Sequence, residues 1–444
     1  MTVIEQIHSS FRESYSVSTD TRKIQRGDIF FALKGERFDA NKFALSAIDA
    51  GAEIVVADNI KAIKSELNPS DKARVDSLIK DSKIIIVEDS LITLQELSSY
   101  HRDYLGTQII AITGSNAKTT TKELTSRVLS KSFNISMTEG NLNNHIGVPL
   151  TLLKITEDTD LAIVEMGASS RGEIALLSSI AKPNFGIITN IGKAHLEGFG
   201  GQDGVRKGKG ELADYLEKNG GTLFYLGDSP QLQQIADEHK DLRAIPYSTS
   251  GWTTIPNQYA AAEFEGTKYQ SYLTGEYNIM NMAAAHAIGR FFGILDSDIS
   301  SAIESYKPDN NRSQRVETQT NTIICDAYNA NPSSMTTALD AFMSLEAESK
   351  QQVIILGGML ELGEFSQQEH REIYDKVKGL ISMGSLNSAY FVGEQWPQQQ
   401  DSSIMLFDDT DKLKTHITQS GISNSMILVK GSHSIALEKI FPLL

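Results

Sequence analysis

An apolar run, Ile109-Ile110-Ala111-Ile112, gives way to Thr113-Gly114-Ser115-Asn116-Ala117, then Lys118 and the threonines 119–121. Helix-forming Lys122-Glu123-Leu124 follows at once. A buried strand feeding a helix through a loop of small residues is the unit of an α/β parallel sheet, which limits the fold sharply. In such a turn the backbone N–H groups and the helix N-terminus cradle polyphosphate. Lys118 neutralises it, and Thr119 offers a hydroxyl to Mg²⁺. Gly114, Ser115, Asn116, Ala117, Lys118, Thr119 and Thr120 form the expected nucleotide-binding set. An ordinary turn with an exposed lysine is the bland alternative, and it explains the joint presence of small residues, lysine and threonine less well. Ala117 stands where phosphate loops normally carry glycine. A Cβ there crowds the phosphates, or costs about 1–2 kcal/mol if the backbone needs positive φ.

At 444 residues the chain is too long for one core and suggests about three domains. A formal charge of −15, with no offsetting basic tract, argues against nucleic-acid binding. Small anionic substrates stay open, because a cleft can be locally basic on an acidic protein. The single cysteine, Cys325, sits in an apolar run and reads as a buried reduced thiol. Neither a secretory leader nor a membrane-spanning run is visible, so the expected location is the cytoplasm.

The expected fold class is α/β with three domains, divided at 1–105, 106–307 and 308–444. The first is small and mixes strands (28–33, 53–57, 83–87) with helices over 42–50 and 90–104, the latter capped by Ser90. The second is a P-loop ATPase-like parallel sheet with strands over 161–165 and 186–190, closing with helices over 278–292 and 297–306. The third is a smaller, Rossmann-like domain. Its strands fall at 322–326, 353–356, 389–393 and 426–430, with helices from 333 and 367 and a last helix at the chain end. The span 183–275 is the least readable.

Ligands gather at the carboxyl ends of parallel strands. Glu165 ends one such strand, and His195 lies five residues beyond Asn190, which ends the next. Both can face the phosphate loop as ligands of Mg²⁺ or of water held by it; a solvated strand end and a loop histidine are the bland alternatives. Arg206-Lys207-Gly208-Lys209-Gly210-Glu211 reads from composition as a solvated basic face. Asn278 and Asn281 share a helix face, either as caps or as hydrogen-bonding partners of a base edge. Asp326-Ala327-Tyr328-Asn329-Ala330-Asn331-Pro332 makes a firm turn between strand and helix, and Arg312 can reach phosphates across a cleft.

Together these segments resemble the Mur ligase family. The similarity also runs through Thr19-Asp20-Thr21-Arg22, Gly27–Gly35, Asp39-Ala40-Asn41, Thr138–Leu150, Met359-Leu360-Glu361-Leu362-Gly363 and Lys430-Gly431-Ser432. It implies an ATP-dependent amide ligase working with Mg²⁺ through an acyl phosphate, as a monomer, in cytoplasmic peptidoglycan precursor synthesis. The segments 141–150 and 326–332 are similar to the member that joins D-alanyl-D-alanine to UDP-N-acetylmuramoyl-tripeptide. By the same resemblance Lys118, His195 and Lys209 are catalytic, Lys209 as a carbamate. Thr119, Glu165, His195 and Lys209 are then metal ligands. Asn278 and Asn281 contact adenine, and Arg312 and Asp326 hold phosphates and ribose. Thr21 and Arg22 belong to the uridine nucleotide site in the first domain, and Asn141, Asn144, Asn329 and Asn331 to the substrate. The chain departs from the family pattern at Ala117 (glycine), Gly358 (aspartate), Ala40-Asn41 (Gly-His), Tyr277 (histidine) and His433 (arginine). Ala117 and Gly358 motivate the rival reading, a nucleotide-binding or regulatory homologue with impaired turnover.

Overall fold

A computed structural model describes residues 2–36, 38–346, 350–398 and 403–444. Its contacts divide the chain into two compact units. One comprises Met1–Ala111, Phe133–Gly167 and Ala175–Phe185; the other comprises Ile112–Ser132, Ala168–Ile174 and Gly186–Leu444.

The first unit contains a four-stranded parallel sheet in the order Val17–Ser18, Ile29–Phe31, Ile54–Ala57, Ile84–Ile86. Successive side chains of a strand point to opposite faces, so an apolar run covered on both faces feeds two cores. Phe30, Val55 and Ile84 pack with Ala44, Ala47 and Val75. Ile29, Phe31, Val56 and Ile85 pack on the other side with Ile7, Phe11, Leu94 and Leu97. Helix Val3–Ser14 starts with a capping box between Thr2 and Glu5. Helix Ser90–Leu105 is capped by Asp89 rather than Ser90: Asp89 Oδ1 accepts from Ile92 N at 2.8 Å. The Ser90 hydroxyl turns instead to Ala32 O (2.9 Å) and Asp58 (2.8 Å), tying the helix to two strand ends. In the same unit Leu161–Glu165 runs parallel to Ile135–Met137.

Thr222–Leu226 runs parallel to Arg243–Tyr247 in the second unit. In the second unit, helix Lys118–Leu129 lies against helices Asn278–Phe291 and Asp296–Ser305. The span the sequence leaves unread contains helix Gln202–Lys218. It also holds a three-stranded antiparallel sheet, Thr253–Thr254, Ala261–Phe264 and Thr267–Gln270.

The last sheet has six strands, in the order Gln314–Glu317, Thr322–Asp326, Ser425–Lys430, Gln351–Gly357, Ser388–Val392, Ile404–Phe407. Only the first pairing is antiparallel. Cys325 is buried in its core, and burial pushes the thiol up to about 12. The chain end is not an α-helix as the sequence suggests. It forms 3-10 turns, His433–Ile435 and Leu437–Leu443, because Ala436 is left-handed at φ +59° and Pro442 lacks an N–H. Among the described residues no helix is long and apolar enough to cross a membrane.

A histidine pair joins helix Val3–Ser14 to helix Ser90–Leu105. His101 Nε2 donates to Ile155 O at 2.8 Å, which leaves its Nδ1 to accept from His8 Nε2 at 3.0 Å. Both rings are buried. Burial, His101 and Arg12 pull His8 from 6.5 to about 4, and burial and then Arg12 lower His101. Tyr15, Tyr100 and Tyr104 face the pair. Groups that bind protons less readily when folded stabilise the protein fully above the unfolded pKa and lose that stability as pH falls. The melting temperature is therefore expected to drop between pH 6.5 and 4, and the drop to be shallower in His8→Asn. Parallel pH profiles for the two proteins would contradict the assignment.

Candidate active site

The phosphate loop is shaped from outside its own sequence. Gly114 has φ +143°, and a Cβ there would collide with the Thr189 side chain. Ser115 N donates to Asn190 O (3.0 Å), and Ser115 Oγ pairs with Gly192, accepting from its N at 2.9 Å. Asn116 N donates to Asn190 Oδ1 (3.0 Å), while Asn116 O accepts from Thr189 Oγ1 (2.6 Å) and Asn190 Nδ2 (3.1 Å). The amides of Ser115 and Asn116 thus hold the loop to the 189–192 strand end. Ala117 has φ +64°, the conformation in which glycine is favoured, and caps helix Lys118–Leu129. Thr121 N makes the first bond of that helix, to Ala117 O at 2.8 Å. The amides of residues 118–120 precede it, in the turn where helix geometry supplies no carbonyl. Lys118 Nζ donates to Gly114 O at 2.8 Å.

Lys209 is almost wholly buried in helix Gln202–Lys218, with Nζ donating to Ala168 O (3.0 Å) and 4.9 Å above the Phe199 ring. Burial, then the Lys118 ammonium, push it well below the ordinary lysine range. His195 is lowered by burial, pulled up by Glu361, and lowered again by Lys118 and Lys209. Its Nδ1–H donates to the Glu361 carboxylate, which leaves the Nε2 lone pair for an electrophile. Lys118, His195 and Lys209 therefore share one electrostatic neighbourhood. Beside them Lys193 N donates to Ser333 Oγ (2.8 Å), and Lys193 Nζ to the buried Glu369 (2.6 Å).

Asp326 and Lys430 end neighbouring strands in register, with Lys430 Nζ 2.6 Å from Asp326 Oδ2 and 3.0 Å from Asn329 O. The sequence quotes Lys430 without giving it this task. The Arg312 guanidinium lies 3.7 Å over Tyr328, which stacks on His433. Asn278 Nδ2 donates to Thr274 O (2.7 Å) and Asn281 Nδ2 to Asn278 Oδ1 (2.8 Å), so both buried amides are engaged internally. Tyr277, the family's histidine position, hydrogen-bonds Ser313 Oγ at 2.7 Å.

In the first unit Glu165 is buried, its carboxylate accepting from Asn143 Nδ2 at 2.8 Å. Asn143 holds that carboxylate and had no place among the expected residues. Asn144 Oδ1 accepts from Ile146 N and Gly147 N, and Asn141 is exposed. Thr21 and Arg22 lie on a 3-10 turn, where Arg22 pairs with Asp20 through two nitrogens and holds that carboxyl down to about 2. Asn41 is fully buried and joins Asp39, Asp58 and the Asn59 amide. Among the described residues no three His, Cys, Asp or Glu side chains are grouped to hold a metal.

Comparison with known proteins matches residues 13–98 to the Mur ligase family, catalytic domain, 112–289 to the Mur ligase middle domain, and 311–433 to the Mur ligase, glutamate ligase domain. The UDP-N-acetylmuramoyl-tripeptide--D-alanyl-D-alanine ligase of Bacillus subtilis (strain 168) is 34% identical over 441 residues, covering 96% of this chain and 92% of that one. The chain belongs to the Mur ligase family. The enzyme of the same name from Escherichia coli (strain K12) is 32% identical over 448 residues, at 96% and 92% coverage. Among solved structures, MurF from Acinetobacter baumannii superposes with TM-score 0.81 at 27% identity, covering 96% of this chain and 92% of that one. The MurF ligase from Thermotoga maritima in complex with ADP gives 0.80 at 25% identity, covering 96% of each chain.

Ala117 tests whether this Mur ligase loop stores strain. Relief of a left-handed Cβ outweighs the entropy glycine adds to the unfolded chain. Ala117→Gly is expected to raise stability by about 1 kcal/mol in thermal melting. A lower melting temperature would show that the alanine is not strained there.

Proposed function

We propose that this protein joins D-alanyl-D-alanine to UDP-N-acetylmuramoyl-tripeptide at the expense of ATP, in cytoplasmic peptidoglycan precursor synthesis, acting as a monomer. The relatives' names supply the two substrates. The observation that carries the chemistry is the helix start at Lys118, fixed behind a left-handed Ala117 and stitched to residues 189–192. The functional segments are 1–105 for the uridine nucleotide, 106–307 for ATP and 308–444 for closing the site, in keeping with the three matched stretches.

The tripeptide carboxylate attacks the γ-phosphorus, ADP leaves, and an acyl phosphate forms. The dipeptide amine then attacks the acyl carbon, loses a proton and expels inorganic phosphate. Lys118 and the amides of the first helical turn stabilise charge on the transferring group, where most of the barrier lies. Arg312 and Asp326 serve the nucleotide, as do Asn278 and Asn281. Thr21, Arg22, Asn141, Asn144 and Asn329 serve the other substrates.

The donor set fits Mg²⁺ on one condition. An ammonium at Lys209 would repel a cation, but burial holds that amine below its usual range, and a neutral amine adds CO₂ to give a carbamate and a proton. Thr119 and Glu165 would serve a first Mg²⁺, and the carbamate with His195 a second, each supplying Lewis-acid neutralisation of phosphate charge. The rival of an impaired homologue draws no support from the site. Ala117 takes the backbone conformation its position requires, and Gln395 Oε1 fills the space beside Gly358, 2.6 Å from where a Cβ would stand.

ADP release is expected only when the nucleotide tripeptide and the dipeptide are both present. ADP release indifferent to the dipeptide would overturn the ligase reading.

A further inference from the structure

Asn331 uses both ends of its carboxamide. Its Oδ1 accepts from Ser334 N at 2.9 Å, capping helix Pro332–Ser344, and its Nδ2 donates to Asn116 Oδ1 of the phosphate loop at 2.7 Å. The reverse contact, Asn116 Nδ2 to Asn331 Oδ1, is long at 3.5 Å. The side chain is 5% exposed. Serine or aspartate would cap the helix as well, yet neither carries an amide donor for Asn116. Helix capping therefore does not account for asparagine at 331, whereas the second contact does.

The two residues are rigidly backed. The peptide of Asn116 is held by Thr189 and Asn190, which fixes where its side chain starts from. The turn carrying Asn331 is pinned by Lys430, whose ammonium holds the Asp326 carboxylate and the Asn329 carbonyl. Asn116 directly precedes left-handed Ala117, whose backbone sets where the amides of residues 118–120 point.

We propose that Asn331 is a positioning residue that acts through Asn116: the turn after strand Thr322–Asp326 sets the phosphate loop for ATP. The inference rests on the ligase reading but assigns Asn331 to nucleotide placement rather than to dipeptide contact.

Asn331→Ser keeps the cap and removes the amide donor that reaches Asn116. Together with Asn116→Ala and the double variant it forms a cycle, read as KM for each substrate, kcat and melting temperature. Each single change is expected to raise KM for ATP about tenfold. Melting of Asn331→Ser should stay within about 2 °C of wild type, and the double variant should be no worse than either single. Asn331→Asp keeps the cap and accepts from a flipped Asn116 amide, so it should recover most of the loss. Additive losses of about a hundredfold, an unchanged KM for ATP, or a shift in KM for the dipeptide alone would each overturn the proposal. If wild type forms no amide the ligase reading fails separately, and equilibrium titration of the same variants with MgATP reads the coupling directly.

Discussion

The bonds between the phosphate-loop apex and the strand end at 189–192 are the constraint on which the site depends. A helix N-terminus binds anions only if the amides before its first internal bond are held in place, since mobile donors lose in entropy what they gain in charge. Here Thr189 and Asn190 occupy the Ser115 and Asn116 peptides, Gly192 engages the Ser115 hydroxyl, and the turn is held rigid. The proposed function places the nucleotide's phosphates at the helix start behind them, beside Lys118. The run of small residues is thus there for close backbone approach, which Gly114 shows most plainly.

Around that loop the charges are unbalanced by design. Burial lowers both His195 and Lys209, and the Lys118 ammonium adds to its effect. Glu361 offsets it at His195 through its charge and by accepting the Nδ1–H hydrogen bond. Two basic groups are thus held below their usual range although Glu361 bears on one and Glu173 and Glu211 on the other.

The strand–loop–helix at 108–129 was legible because a β-branched run, small residues and a lysine are each demanded by local geometry. The apolar strands were legible for the same reason. Strand Gln314–Glu317 was not, because it is a short antiparallel edge in which Val316 is the one apolar residue, and Ile404–Phe407 is only four residues long. Ser90 and Asp89 are equally good caps in sequence, and only the demand of Ala32 O and Asp58 for the serine hydroxyl decides between them. Asn143, Lys430 and the Asn116–Asn331 pair were out of reach, since their partners lie 22, 104 and 215 positions away. The departures from the family pattern acquire local reasons: Asn41 ties together two acidic residues and a backbone amide, and Tyr277 finds Ser313.

The central claim is that the helix start and its lysine bind the nucleotide's phosphates. Equilibrium titration of the intact protein with MgATP, comparing wild type with Lys118→Met, tests it without requiring turnover. Loss of one charge-assisted phosphate contact predicts affinity about a hundredfold weaker in the variant. Equal affinity for the two proteins would contradict the account.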